Sequence, residues 1–455
     1  METRAPATRE HSAGAAESLG ANIFTARLAN GLSILAWPDA AIPNVALYIF
    51  YRCGSRNERA GLTGLSHFFE HMMFNGTRAH GHMQFDVIME RAGGRNNAYT
   101  TQDVTVYQDW FPREALETIF DLEADRMHGL ALDPQVVESE RGVVLAERHS
   151  VIESNNQALL DERLWSTAFT THPYHWPVIG WMQDISSWRA EDLEAFYRTY
   201  YSPGNALLVI AGDFDRDALV PLAERTFGRI AASPAPPAVD VTEPPQEAER
   251  RVQLTLPSHL VSFSAAWHIP GARHPDYFAL RVFESVLLTG HSSRLYNRLV
   301  HRERAAIAVG GGFDVTIDPT LFIVTCEMRD GVSAERGEAL LYEEIARLAS
   351  EGPSPAELAK VKRQRLAEHF RAMKTISGRA GIIGTSEVFF GDYTYALRSP
   401  AAFEAVSAED VVRVARRIFT TENRTAGVLV RAAGDGDADA GDNAGPADPG
   451  EATRA

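Results

Sequence analysis

The stretch that most constrains this chain is Gly64-Leu65-Ser66-His67-Phe68-Phe69-Glu70-His71-Met72-Met73-Phe74. After Gly64, apolar residues dominate and neither Gly nor Pro interrupts the run, so it reads as a mostly buried helix. His67, Glu70 and His71 stand at i, i+3 and i+4, positions that share one helix face. Any fold that buries this helix must find partners for two imidazoles and a carboxylate. Two His one turn apart can grip a single Zn²⁺ through ring nitrogens, and a carboxylate beside them can take a proton from metal-held water. The spelling H-x-x-E-H is the reverse of H-E-x-x-H. On these residues alone two readings stay open. The three groups are satisfied by ordinary hydrogen bonds, or they belong to a zinc site whose third protein ligand lies elsewhere.

Composition narrows the class. The chain has 455 residues, 45% of them hydrophobic, enough for large cores and two or more domains. A formal net charge of −16 argues against nucleic acid as a partner. Cys53 and Cys326 are the two cysteines, which excludes a disulfide framework and a Cys-based zinc site. No apolar run reaches the roughly 18 residues of a membrane span, so no membrane insertion is expected. The N-terminus lacks a basic region followed by an apolar one, so no signal peptide is visible. That favours the cytoplasm for the chain as written and leaves the periplasm open.

Taken in order, Leu32–Trp37 and Asn44–Tyr51 read as strands, and Gly54–Gly64 as a polar loop. Asn75-Gly76-Thr77 ends the His-bearing helix, and Phe85–Arg91 is a short helix. Gly93 to Tyr107 reads as a turn and one strand whose polar alternation suits a sheet edge. Glu114–His128 is an amphipathic helix. Asp133 and Pro134 supply an N-cap and an N1 residue for a helix to about Val151. Glu140 and Glu147, seven apart, share a face of it, and Glu138 points elsewhere. The default for any of these acids is a solvated helix surface. Asp192–Tyr200 is a helix, Ala206–Gly212 a strand, and Asp215 an N-cap for a helix to Phe227. Val252–Leu256 and Leu260–Trp267 open a second set of strands. The acidic run at Asp435, Asp437 and Asp439 has Pro446 where a calcium loop needs its closing Glu, so it reads as a solvated tail.

A faint repeat organises the whole. Leu62-Thr63-Gly64 is echoed by Leu288-Thr289-Gly290, and the strand at 206–212 by Ala426–Val430. In the second copy the ligand positions fall on Ser293, Tyr296 and Asn297, which cannot build the same site. The division is a flexible leader (1–22), a first domain (23–232), a Pro-rich linker (233–250), a second domain (251–433) and a disordered acidic tail (434–455).

Several stretches together carry a resemblance. They are Gly54-Ser55-Arg56-Asn57-Glu58, Thr63 through Thr77, Gly93-Gly94 with Asn97-Ala98 and Asp103, and Glu140-Arg141-Gly142-Val143-Val144-Leu145-Ala146-Glu147. Pro173-Tyr174 with Pro177-Val178-Ile179-Gly180, and Tyr200-Tyr201-Ser202-Pro203 leading to Gly212-Asp213, extend them. As a set, over about residues 25–430, they resemble the pitrilysin/insulinase-type zinc peptidases, specifically the short bacterial and mitochondrial-processing-peptidase-like branch. The resemblance implies an α+β fold of two homologous α/β-sandwich domains. Each has a mostly antiparallel sheet with helices on one side, and together they form one half of a clam-shell peptidase. It places the third zinc ligand about 76 positions past the second His, and 147 − 71 = 76 makes Glu147 that ligand. Glu140 matches the family's acid that orients a ligand. One Zn²⁺ per chain, in the first domain only, would then sit on His67, His71 and Glu147. Glu70 would be the general base for a water that attacks the scissile carbonyl. Asn97 and Ala98 match an edge strand that pairs with substrate backbone in relatives.

The sequence departs from that pattern in its second half. Relatives acting as one or self-paired chains carry an Arg and a Tyr after a Ser-Arg-Leu-Tyr helix, and these reach the substrate carbonyl. Ser293-Arg294-Leu295-Tyr296 is present, but the Arg position falls near His301 or Arg302 and the Tyr position on Ile307. Isoleucine donates no hydrogen bond to an oxyanion, a loss worth about 10²–10³ in rate. The expectation is therefore the zinc-bearing subunit of a two-chain enzyme. It hydrolyses small or unfolded peptides in a chamber, with a homologous metal-free partner supplying the Arg/Tyr pair. The competing expectation is a non-catalytic peptide-binding or scaffold subunit.

Overall fold

The computed structural model describes residues 22–258 and 260–432. The expected leader, apart from Asn22, and the expected tail over 434–455 lie outside the described residues. The first sheet contains β1 (Phe24–Arg27), β2 (Ser33–Pro38), β3 (Asn44–Tyr51), β4 (Arg95–Thr100), β5 (Thr105–Pro112) and β6 (Ala206–Gly212). Their order is β1-β2-β6-β3-β5-β4. The second contains β7 (Arg250–Leu256), β8 (Ser262–Ile269), β9 (Ala306–Gly312), β10 (Thr320–Met328) and β11 (Arg424–Arg431), ordered β7-β11-β8-β10-β9. Each sheet has one parallel pair, β2 with β6 and β7 with β11, and is antiparallel elsewhere. Leaving out β1, the two sheets follow one path. This is the two-domain α+β architecture expected, with one strand order repeated in both halves. Among the described residues no helix is long and apolar enough to cross a membrane.

The repeat is real, but the echo chosen from sequence lies one helix late. β3 leads to the His-bearing helix Leu65–Met72, and β8 leads to Tyr277–Leu288. Leu288-Thr289-Gly290 therefore follows the equivalent helix. On Tyr277–Leu288 the i, i+3, i+4 spacing falls on Arg281, Glu284 and Ser285. Glu284 accepts from Arg281 at 3.2 Å and from Arg365 at 2.8 Å, and Arg365 Nε donates to Ser285 at 2.8 Å. Two guanidinium groups clamp a carboxylate here.

The stretch 93–107, read as one strand, is the start of a hairpin of β4 and β5. Its turn has neither Gly nor Pro. Thr101 Oγ1 instead accepts from the Asp103 and Val104 amides, both at 3.2 Å. β4 forms the sheet's edge, as its polarity suggests.

β3 and β6 are buried on both faces. Val45, Leu47, Ile49 and Tyr51 join one core with Leu65, Phe68, Phe69 and Met72 of the His helix. Ala46, Tyr48, Phe50, Leu207 and Val209 join another with Ala380 and Ile383 of helix Ile376–Thr385, which belongs to the second half. The exchange is mutual. Helix Asn156–Ala168 of the first half packs Leu164 and Ala168 against Ala266 and Leu321 of the second sheet. Gln157 there donates to Ser264 at 3.1 Å and accepts from Ser262 at 3.0 Å. Each sheet thus has its own helices on one side, as expected, and a helix borrowed from the other half on the far side. That second layer was not read from sequence.

A polar clamp joins the halves beside this exchange. Asp103 is almost fully buried and accepts from Tyr174 Oη at 2.8 and 2.9 Å and from the Ile317 amide at 3.0 Å. Arg56 lies 3.4 Å from Asp103 and 2.7 Å from Asp318, which His172 also meets at 3.0 Å. The Pro-rich linker is tied down by Glu243, which accepts from the Thr170, Thr171 and His172 amides at 2.8–2.9 Å.

Gly384 lets the borrowed helix sit on the first sheet, because a Cβ there would collide with the Phe50 ring. Gly384→Leu is expected to lower stability to denaturant by about 1–3 kcal/mol through overpacking. Gly142→Ala, on an exposed helix with open space around the new methyl, is expected to raise it by about 0.5–1 kcal/mol. Urea midpoints of the two variants check both signs.

Candidate metal centre

The site begins with how the His helix is held. Its apolar face, Leu65, Phe68, Phe69 and Met72, is buried, which turns His67, Glu70 and His71 toward the other side. Gly64 precedes the helix at φ +88, a conformation suited to glycine, and a Cβ would collide with the Ile179 carbonyl. The orphan amides of the first turn go to a buried acid: Glu58 accepts from Gly64 N and Ser66 N, each at 2.7 Å. Asp184 accepts from Thr63 N at 3.1 Å and Thr63 Oγ1 at 2.7 Å.

The second helix, Pro134–Arg148, starts as expected. Asp133 accepts from Gln135 N at 2.8 Å and Val136 N at 3.3 Å, with Pro134 at N1. It continues as a wider turn to Glu153. Arg148 donates to the Gly180 carbonyl at 2.8 Å, in the turn that supports Gly64, and Arg141 to the Trp188 carbonyl at 3.0 Å, beyond the short helix Met182–Ser187, so its rotation is set from two points. Glu138 does point away and pairs with Arg141 at 3.0 Å.

The two helices bring the named groups together. Glu147 Oε2 lies 3.4 Å from His71 Nε2 and 3.7 Å from His67 Nε2. The three potential donor atoms all lie within 4.8 Å of one another. Donors about 2.0–2.2 Å from a tetrahedral zinc stand about 3.3–3.6 Å apart, so these separations fit that ion with small adjustments. Glu147 Oε2 is buried and has no hydrogen-bond partner, an expensive state for a carboxylate oxygen unless a cation faces it. The His67–His71–Glu147 set is the one group of potential metal donors found among the described residues.

Electrostatics sort the neighbours. Burial, helped by the nearby His71, lowers the His67 imidazole to about 4, which keeps it neutral and able to ligate. Burial opposes charge on His71 too, but the hydrogen bond and charge of Glu140 outweigh it and raise the ring. Glu140 Oε1 sits 2.8 Å from His71 Nδ1, and that bond holds its carboxyl below the usual range. Burial raises Glu70, against the Thr100 hydroxyl that donates to its Oε2 at 2.6 Å.

Asn97 and Ala98 lie on edge strand β4, opposite Gln108 and Tyr107 of β5, with Asn97 exposed. Ile307 is exposed on β9, the edge of the second sheet. Sequence reasoning missed three residues. Asn75, read only as a helix stop, donates to Glu140 Oε2 at 2.9 Å. Thr100 and Glu58 had no local signal, because their partners lie elsewhere in the chain.

Comparisons with known proteins point one way. Residues 36–180 match the family described as Insulinase (Peptidase family M16), and residues 187–365 the Peptidase M16 inactive domain. The zinc protease PqqE of Helicobacter pylori is 29% identical over 402 residues, 88% of this chain and 90% of that protein. The crystal structure of a protease from Helicobacter pylori matches with a TM-score of 0.86 at 28% identity, over 90% of this chain and 99% of that one. The periplasmic protease PqqL from Escherichia coli, at 20% identity and a TM-score of 0.74, shares the fold. There, 90% of this chain covers 47% of the other.

Glu58 offers a test of how the His helix is anchored. Burial pushes its carboxyl up to about 8, against the amides that hydrogen-bond it. The folded chain then keeps a proton that the unfolded chain releases near 4.5. The stabilising contribution is full below that value and is lost as pH rises toward 8. Glu58→Gln is expected to flatten this part of the stability–pH curve, measured by urea unfolding at pH 5 and pH 8.

Proposed function

The chain belongs to the insulinase-type M16 peptidase family, and we propose that it is a zinc metallopeptidase cleaving small or unfolded peptides. The observation that carries this reading is the buried, unpartnered Glu147 Oε2 facing the two imidazole Nε2 atoms. His67, His71 and Glu147 would hold one Zn²⁺. Bound there, the ion supplies a Lewis acid and a water acidic enough to lose a proton near neutral pH.

The chain's own groups do the rest. Glu140 holds His71 through Nδ1, which leaves Nε2 turned toward Glu147 Oε2, and Asn75 holds Glu140. Glu70, on the same helix face, accepts the proton from the attacking water and returns it to the leaving amine. Its raised carboxyl suits both steps. The free edge of β4, with Asn97 and Ala98, hydrogen-bonds an extended peptide and lays it across the site. Ile307 leaves no oxyanion donor at that position, and a homologous metal-free subunit supplies the Arg/Tyr pair. That PqqL is about twice this chain's length supports the idea that such units work in pairs.

The test is zinc content and peptide hydrolysis of the chain, alone and with any homologous chain that co-purifies with it. Glu70→Gln is expected to keep the zinc and lower kcat by about 10²–10⁴. Glu140→Gln and Asn75→Ala are expected to weaken zinc binding by about 10–100-fold, and Glu138→Gln to leave it unchanged. Turnover by Glu70→Gln at the wild-type rate would contradict the reading. Full turnover by the chain alone would remove the partner.

A further inference from the structure

Glu70 has two carboxylate oxygens, and its neighbours treat them differently. Oε2 accepts from the Thr100 hydroxyl at 2.6 Å. Thr100 Oγ1 also lies 3.4 Å from Thr105 Oγ1. Each hydroxyl has one proton, and Thr105, fully buried, donates its own to the Cys53 carbonyl at 3.0 Å. An ionised carboxylate only accepts, and Glu70 Oε2 at 2.6 Å is much nearer to Thr100 Oγ1 than Thr105 Oγ1 is at 3.4 Å, so the Thr100 proton goes to Glu70.

Thr100 is itself held on several sides. It is the last residue of β4, opposite Thr105 in register, and its β-branched side chain is stiff about χ1. The next residue closes the turn, with Thr101 N donating to the Val104 carbonyl at 2.8 Å. Asp103 in that turn is gripped by Tyr174 and by the Ile317 amide from the second half. Hydrogen bonds from the second half hold the β4–β5 turn, and that turn is joined through the backbone to Thr100, whose hydroxyl meets one oxygen of Glu70.

We infer that Thr100 is a positioning residue for Glu70, and that the Ile317 loop of the second half keeps its hydroxyl in place. The inference rests on Glu70 acting as the general base. With Oε2 tied to Thr100, Oε1 is the oxygen that receives the proton. A water O–H bond breaks and an Oε1–H bond forms. Oε2 becomes the carbonyl oxygen of a neutral acid and still accepts from Thr100. The proton then passes from Oε1 to the leaving nitrogen with no rotation of the carboxyl group. A glutamate has three rotatable bonds, and without this tie its reacting oxygen can stray by the ångström that matters for proton transfer.

The experiment uses the zinc-loaded full chain, together with any homologous chain that co-purifies with it, and two readouts. The first is binding of acetohydroxamate, whose hydroxyl proton needs a free carboxylate oxygen beside the metal, against a peptide thiol that needs the metal alone. Thr100→Val is expected to bind the hydroxamate about tenfold more weakly and the thiol as wild type does, at equal zinc content. Thr100→Ser is expected to restore wild-type binding. The second readout is turnover, in which Thr100→Val lowers kcat by about 10²-fold at unchanged KM. Wild-type hydroxamate binding and kcat in Thr100→Val would overturn the inference. So would a parallel loss of zinc, thiol and hydroxamate binding, which marks a merely structural residue. A wild-type chain that binds no zinc would instead sink the peptidase reading, and this inference with it.

Discussion

The architecture depends on one costly arrangement: two helices packed so that a carboxylate oxygen faces two imidazole nitrogens, all three partly out of water. A buried carboxylate oxygen without a donor is unfavourable, and Glu147 Oε2 is in that state. The fold supports it from both sides. Glu58 and Asp184 take the amides at the start of the His helix. Arg148 fixes the opposing helix to the Gly180 turn that meets Gly64, and Arg141 fixes it to Trp188. Glu140 then biases His71 toward donating from Nδ1. Nothing in this scaffold needs the metal chemistry explicitly, yet every part constrains where the three donor atoms sit.

The second half repeats the strand order of the first, and among the described residues it brings together no such donor set. Its equivalent helix carries Arg281, Glu284 and Ser285, and Arg365 closes on them from the helix Pro355–Ala372. The guanidinium groups of Arg281 and Arg365 pair with the acid there. That half still contributes to the first through the borrowed helix under β3 and β6 and through Ile317 on Asp103. The second half is thus part of the frame around Glu70.

What could be read from sequence follows the range of the interactions. The facing of His67, Glu70 and His71 is a local matter of helical period, and so is the Asp133–Pro134 start. Glu140 and Glu147 share a face by the same arithmetic, but their placement against the His helix came from the family spacing. Thr100, Asn75 and Glu58 escaped because a lone Thr, Asn or Glu signals nothing until a distant strand or helix meets it. The β4–β5 turn escaped because Thr101 does the work that Gly or Asn usually advertises. Helix Asn156–Ala168 carried its own stripe of Leu160, Leu164 and Ala168, and its destination on the opposite sheet has no local signature. The Leu-Thr-Gly echo misled because three letters recur easily, whereas strand order is a property of the whole half.

The central claim is a single ion held by two imidazoles and one distant carboxylate. X-ray absorption at the zinc edge on the metal-loaded chain tests it most directly. The account predicts two imidazole nitrogens with oxygen completing a four-coordinate shell at about 2.0–2.2 Å, losing one oxygen ligand of protein origin in Glu147→Ala. A shell containing sulfur, a shell of oxygen alone, or a spectrum that Glu147→Ala leaves unchanged would contradict it.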